Sequence, residues 1–190
     1  MKKYYFLFSW LLLFLTGCKQ KDKDEKEKFF PVLSYIKSQV AHVDTSLYSI
    51  KKIVFTDTIH SDTTFIPRKE FRNLAKDFLE IPDLAEKKYK KRFTEEKLFD
   101  ESLNLVIISY KPVNADKEEL QKQEILITPN PSGDKVTSII IDQTTSNKNG
   151  FLEKKMLWQV DKSFCVTTIT QKPGQPETTT IMKVSWNEEE

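Results

Sequence analysis

The 190-residue chain has little of what most metal and nucleotide chemistry needs. It carries two Cys, two His and four Gly. Two His and two Cys leave few ligands for a zinc or haem centre. Four glycines are too few for phosphate-cradling loops, and there is no P-loop, GxGxxG, GxSxG or HExxH motif. No cofactor is expected. Excess charge of either sign is missing too. The formal charge of +2 comes from Lys2 and Lys3, and without them 28 basic residues face 28 acidic ones. A nucleic-acid binder would keep a basic excess, so none is expected as a partner. Only one apolar run stands out, and it lies at the start. Aromatics make up 12% of the chain, which argues for a packed core and against general disorder. The length suits one domain.

The opening segment reads MKKYYFLFSWLLLFLTGC. Two lysines precede an uncharged stretch from Tyr4 to Leu15. A bilayer span needs ~20 residues, so this shorter run reads as the apolar part of a secretory signal. It ends in Leu15-Thr16-Gly17-Cys18, which resembles the lipobox of bacterial lipoproteins. The resemblance implies cleavage before Cys18 and a diacylglyceryl thioether on its sulfur, with acylation of the new amino group. Residues 1–17 are then signal peptide, and the membrane is a partner through the acyl chains on Cys18. Each buried methylene contributes ~0.8 kcal/mol, so two or three chains anchor durably where one would not.

Residues 18–28 form the lipidated Cys and a charged tether, Lys19 to Lys28, with no apolar member. Nothing in it can be buried. The Gln20–Glu25 stretch, QKDKDE, resembles the export signal of Bacteroidota surface lipoproteins; a charged spacer is the alternative reading. Lys19, next to Cys18, is not the Asp that resembles an inner-membrane retention signal, which implies the outer membrane and opens the cell surface as a location.

Residues 29–190 are expected to form one α+β domain. Val32, Tyr35, Ile36, Val40 and Val43 follow Pro31 at helical spacing. Pro67 opens a second helix carrying Phe71, Leu74, Ala75, Phe78 and Leu79. Asp83-Leu84-Ala85-Glu86 resembles a capping box and predicts a third. Tyr48 to Phe55 suggests a strand, with a short hairpin through Thr56–Thr64. Six further strands are predicted at Leu103–Lys111, Glu124–Thr128, Val136–Asp142, Leu152–Val160, Phe164–Gln171 and Thr178–Trp186. Their short links favour antiparallel neighbours. The expected architecture is N-terminal helices on a curved antiparallel meander of about six strands.

Several groups are candidates for chemistry or binding. Asp57, His60 and Asp62 in TDTIHSDTT form the one constellation with proton-shuttle character; a solvated turn is the alternative. His42 suits a helix C-terminus. Lys87, Lys88, Lys90, Lys91 and Arg92 concentrate cations that attract anionic head groups or acidic glycans, or simply solvate a helix. Cys165 is the one thiol left after lipidation and reads as a small buried hydrophobe. Met156, Trp158, Met182 and Trp186 line either an apolar cavity or a plain core. The expected function is a non-catalytic envelope lipoprotein that binds a protein or glycan. The alternatives are a carrier of an apolar molecule in a half-barrel and, behind both, a hydrolase using the Asp57/His60/Asp62 loop.

Overall fold

The computed structural model describes residues 29–55 and 60–187. The lipobox, the tether and Asp57 lie outside these residues. Among those described, three helices, α1 (Val32–Thr45), α2 (Arg68–Leu74) and α3 (Lys76–Leu79), accompany a nine-stranded antiparallel sheet. The strands are β1 (Lys51–Phe55), β2 (Ser61–Phe65), β3 (Phe93–Asp100), β4 (Leu105–Pro112), β5 (Leu120–Thr128), β6 (Lys135–Asn147), β7 (Gly150–Gln159), β8 (Ser163–Gln171) and β9 (Thr178–Ser185). Their order is β2-β1-β9-β8-β7-β6-β5-β4-β3. Strands β3 to β9 form an uninterrupted meander, and the β1–β2 hairpin adds onto β9.

Helices on an antiparallel sheet match expectation, but the sheet has nine strands instead of about six. The six predicted strands are β4 to β9. The β1–β2 hairpin supplies two more, and β3 has no counterpart in the prediction. Its sequence FTEEKLFD is exposed from Thr94 to Phe99, so it shows no alternation of apolar and polar residues.

The predicted third helix does not form. After Pro82 the chain turns, with the Ala85 N–H donating to Asp83 Oδ1 at 3.1 Å, and only a 3-10 turn follows at Lys87–Tyr89. Burial explains this outcome. Leu84 and Phe93 are both buried, and nine residues apart they would lie on opposite faces of a helix. Five cations in six residues would also repel one another in a compact helix. The second helix is interrupted where Ala75 takes up φ −81° and ψ 5°.

Register divides each strand between two faces. Ile139 and Ile141 of β6 lie opposite Trp158 and Met156 of β7, and Trp158 lies opposite Phe164 of β8. All five are buried and face the helices. Leu152 is half-buried, while Met156, Trp158 and Val160 are buried. From the helices, Phe71 meets Phe164 and Trp186, and Phe78 meets Trp158 and Phe164. Arg68 ties α2 to the end of α1. Its guanidinium donates to the Val43 carbonyl (2.9 Å), Ser46 Oγ (3.1 Å) and the Tyr48 carbonyl (3.1 Å). It thereby adds a third donor to the Val43 carbonyl, which already accepts from the Ser46 N–H and hydroxyl at the helix end.

Gly150 at the β6–β7 turn has φ +136°, and a Cβ there would collide with the Gln171 carbonyl. The turn thus needs glycine on two counts.

Trp158→Ala should cost ~3–5 kcal/mol, because the loss of the ring leaves a cavity among close-packed neighbours. Thr179→Ala, on the exposed part of β9, should stay within ~0.5 kcal/mol. Urea denaturation of both variants checks the contrast.

Candidate functional site

The cationic segment occupies one end of the sheet. It runs from the 3-10 turn through Lys90, Lys91 and Arg92 into β3, so its cations project from a turn and not from a helix. Lys88 pairs with Glu86 at 2.9 Å, and that contact raises the pKa of its ammonium. Arg92 Nε and Nη2 hold Glu118 in a two-pronged bond at 2.6 and 2.5 Å. Glu95 and Glu96 instead reach Lys97 and Lys111.

Tyr89 organises the turn. Its ring has Lys88 Nζ and Arg92 Cζ each 4.9 Å from its centroid. The ring also meets Phe93 edge-on at 6.0 Å, which connects the turn to the core.

Two open clefts flank the Arg92–Glu118 pair. One, of about 330 Å³, lies between Glu80, Pro82, Tyr89 and the segment Lys117–Leu120. The other, of about 310 Å³, lies between Lys91, Val113, Asn114 and Lys117. Both share Arg92, Lys117 and Glu118. The 3-10 turn at Ala115–Lys117 presents Lys117 to both, and Val113 is exposed at the second cleft. The sequence marks the cations but gives no sign of the β4–β5 connection that completes the clefts.

The other candidates are dispersed. His60 and Asp62 are exposed at the start of β2, far along the sheet order from the cationic turn. His42 sits in the last turn of α1, 4.0 Å from Asp161 and edge-on to Tyr48. Cys165 is half-buried on the face of the sheet away from the helices, opposite Leu157 and Lys183. Burial pushes its thiol pKa up, so the thiolate is scarce near neutrality.

Met156, Trp158 and Trp186 are brought together. Trp158 stacks on Phe164 at 5.4 Å and lies 5.4 Å from Trp186, while Met182 is partly buried against the same cluster. Sequence reasoning missed Gln123 here. It is fully buried on the helix-facing side, and neither amide atom has a hydrogen-bond partner. Both buried indole N–H groups, of Trp158 and Trp186, are likewise unpartnered.

Tyr110 was also missed. It is buried on β4, accepts from the Phe30 N–H at 2.9 Å and donates to Glu95 Oε2 at 2.8 Å. The Phe29 ring packs on it at 4.8 Å. Burial and the Glu95 carboxylate push its phenol far above the usual tyrosine range.

The Tyr110 phenol stabilises the fold in its neutral form. In the unfolded chain it ionises near pH ~10. Its contribution is therefore complete below that pH and is lost as pH rises further, since only the unfolded state then gives up the proton. Tyr110→Phe should show a smaller alkaline loss of stability than the parent chain. Urea midpoints measured between pH 8 and 11 check the difference.

Comparisons with protein-family models, with curated proteins and with solved structures found no match to this chain.

Proposed function

We propose that the protein is a lipid-anchored cell-envelope protein whose α+β domain binds a partner protein or glycan without catalysis. The observation that carries this reading is the run from Lys2 to Cys18, with basic start, apolar stretch and LTGC in the order lipidation requires. The charged tether supports attachment to the outer membrane, with surface display as its finer form. The cationic turn, with Tyr89 between Lys88 and Arg92 and a cleft on either side of Arg92–Glu118, is the contact site in this reading. Cations on an aromatic platform suit carboxylated glycans or an acidic protein surface.

Cys18→Ser should abolish incorporation of labelled palmitate and leave uncleaved precursor. Protease added to intact cells should remove the domain of the parent chain, and replacing Asp22, Asp24 and Glu25 with Ala should protect it. Palmitate incorporated into the Cys18→Ser chain would sink the anchor reading. Equal protease sensitivity of both tethers would reduce the tether to a spacer.

One observation favours the second reading, a carrier of an apolar molecule. Gln123 and the two indoles present unpartnered polar atoms between sheet and helices, where each costs ~1–3 kcal/mol. A ligand entering there would find hydrogen-bonding groups ready. Gln123→Leu should raise the unfolding midpoint whichever reading holds. Reduced uptake of a fluorescent fatty acid by the same variant would favour the carrier, and unchanged or absent uptake would favour the binding module.

A further inference from the structure

Among the described residues the sheet ends in two free edges, β2 and β3. β3 is the longer, and the backbone shows which of its groups face outward. The Val113 N–H donates to the Arg92 carbonyl at 2.8 Å, and the register then runs without a shift from Phe93↔Pro112 to Asp100↔Leu105. Hydrogen-bonded pairs alternate in an antiparallel ladder. Thr94, Glu96 and Leu98 therefore direct their backbone groups to β4, and Phe93, Glu95, Lys97 and Phe99 direct theirs away from the sheet. Pro112 fits this alternation, since it stands opposite Phe93 in a pair that needs no N–H.

The side chains on this edge are out of keeping with a solitary strand. Leu98 is 59% exposed and Phe99 50% exposed, and they flank charges of both signs. Charge usually keeps an edge strand from pairing, whereas exposed apolar residues favour pairing. Here the charges match themselves. If a second β3 runs antiparallel with its centre at Glu96, Glu95 falls opposite Lys97 and Phe93 opposite Phe99, each twice by symmetry. Leu98 falls opposite Thr94. The outward-facing residues are then the ones that form the hydrogen-bonded pairs. Only Glu96 meets itself, and its carboxylate already lies 3.6 Å from Lys111. Moving the centre to Lys97 or Leu98 loses the Glu–Lys matches and sets Lys97 against itself or Glu96 against Asp100. β2 exposes Phe65 but offers no charge match, because it carries Asp62 and no cation.

We infer that β3 is a self-association edge, by which two copies of the chain join their sheets antiparallel about a two-fold axis at Glu96. The pairing is independent of the anchor and of the cationic turn.

Cysteine cross-linking of the full-length chain tests both the contact and its register. At the two-fold axis, paired residues in a non-hydrogen-bonded position stand ~4.5 Å apart at Cα, within disulfide reach. Glu96→Cys should therefore give a covalent dimer under mild oxidation, above the background set by the native cysteines. Thr94→Cys should not, since its counterpart lies several residues away, nor should Thr63→Cys on β2. Adding Lys97→Pro to Glu96→Cys removes an outward N–H while sparing the β4 ladder, and it should abolish the cross-link with the thermal midpoint largely kept. Three results would overturn the inference: no cross-link from a folded Glu96→Cys chain, equal cross-linking from Thr94→Cys or Thr63→Cys, or a yield that Lys97→Pro leaves unchanged.

Discussion

The fold depends on the stack of Trp158 and Phe164 across β7 and β8. The two rings lie nearly parallel, 15° apart in plane, and give the sheet a broad apolar platform. Phe71 and Phe78 come down on this platform from two short helices that could not hold their shape alone. Their position depends on what they cover. Trp186, just beyond β9, extends the platform and supports Phe71 edge-on. A layer assembled from three consecutive strands and two helical turns couples the meander to its cover, so the sheet and helices stand or fall together.

Polar links fix how the helices sit on that platform. Arg68 closes the end of α1, Arg72 reaches Asp44 at 2.6 Å, and Lys154 reaches up from β7 to Asp77 at 2.6 Å. The exposed Arg72–Asp44 pair contributes little, and the other two links are half-buried. Their value lies in direction, because aromatic packing alone tolerates sliding. Gln123 and the indole N–H groups are the exceptions to an otherwise apolar layer. Much of the inner face follows the rule that strand residues alternate between core and solvent, most clearly in β7.

That rule explains which parts of the architecture were legible. The C-terminal halves of β7 and β9 carry apolar residues at every second position, and their inner faces were readable as Met156, Trp158 and Val160, and as Met182, Val184 and Trp186. α1 was readable from Val32, Ile36, Val40 and Val43, all of them buried. β3 was not, since an edge strand with one buried side chain has no period to detect. The segment after Pro82 misled for the opposite reason. Asp83 and Glu86 carry a local helix-start signal, and the burial of Leu84 and Phe93 overrode it. At the candidate site the cations could be read as residues, but their arrangement could not. It is set by Glu118, 26 positions downstream of Arg92, and by a ring contact between Tyr89 and Phe93. Gln123 lies just before the predicted strand Glu124–Thr128, and only the observed register opposite Ile141 turns it inward.

The junction of Phe29 and Phe30 with Tyr110 also has a mechanical meaning. Any tension arriving along the preceding residues enters the domain at this point, on the flank of the sheet near β3, and not through the aromatic platform. The Phe30–Tyr110 hydrogen bond and the Phe29 ring contact lie first in the load path, and Tyr110 passes the load into β4, which is paired on both sides. Ladders pulled across their strands open one bond at a time, whereas those loaded along the strand resist together. The first contact to load is thus backed by a strand paired on both sides.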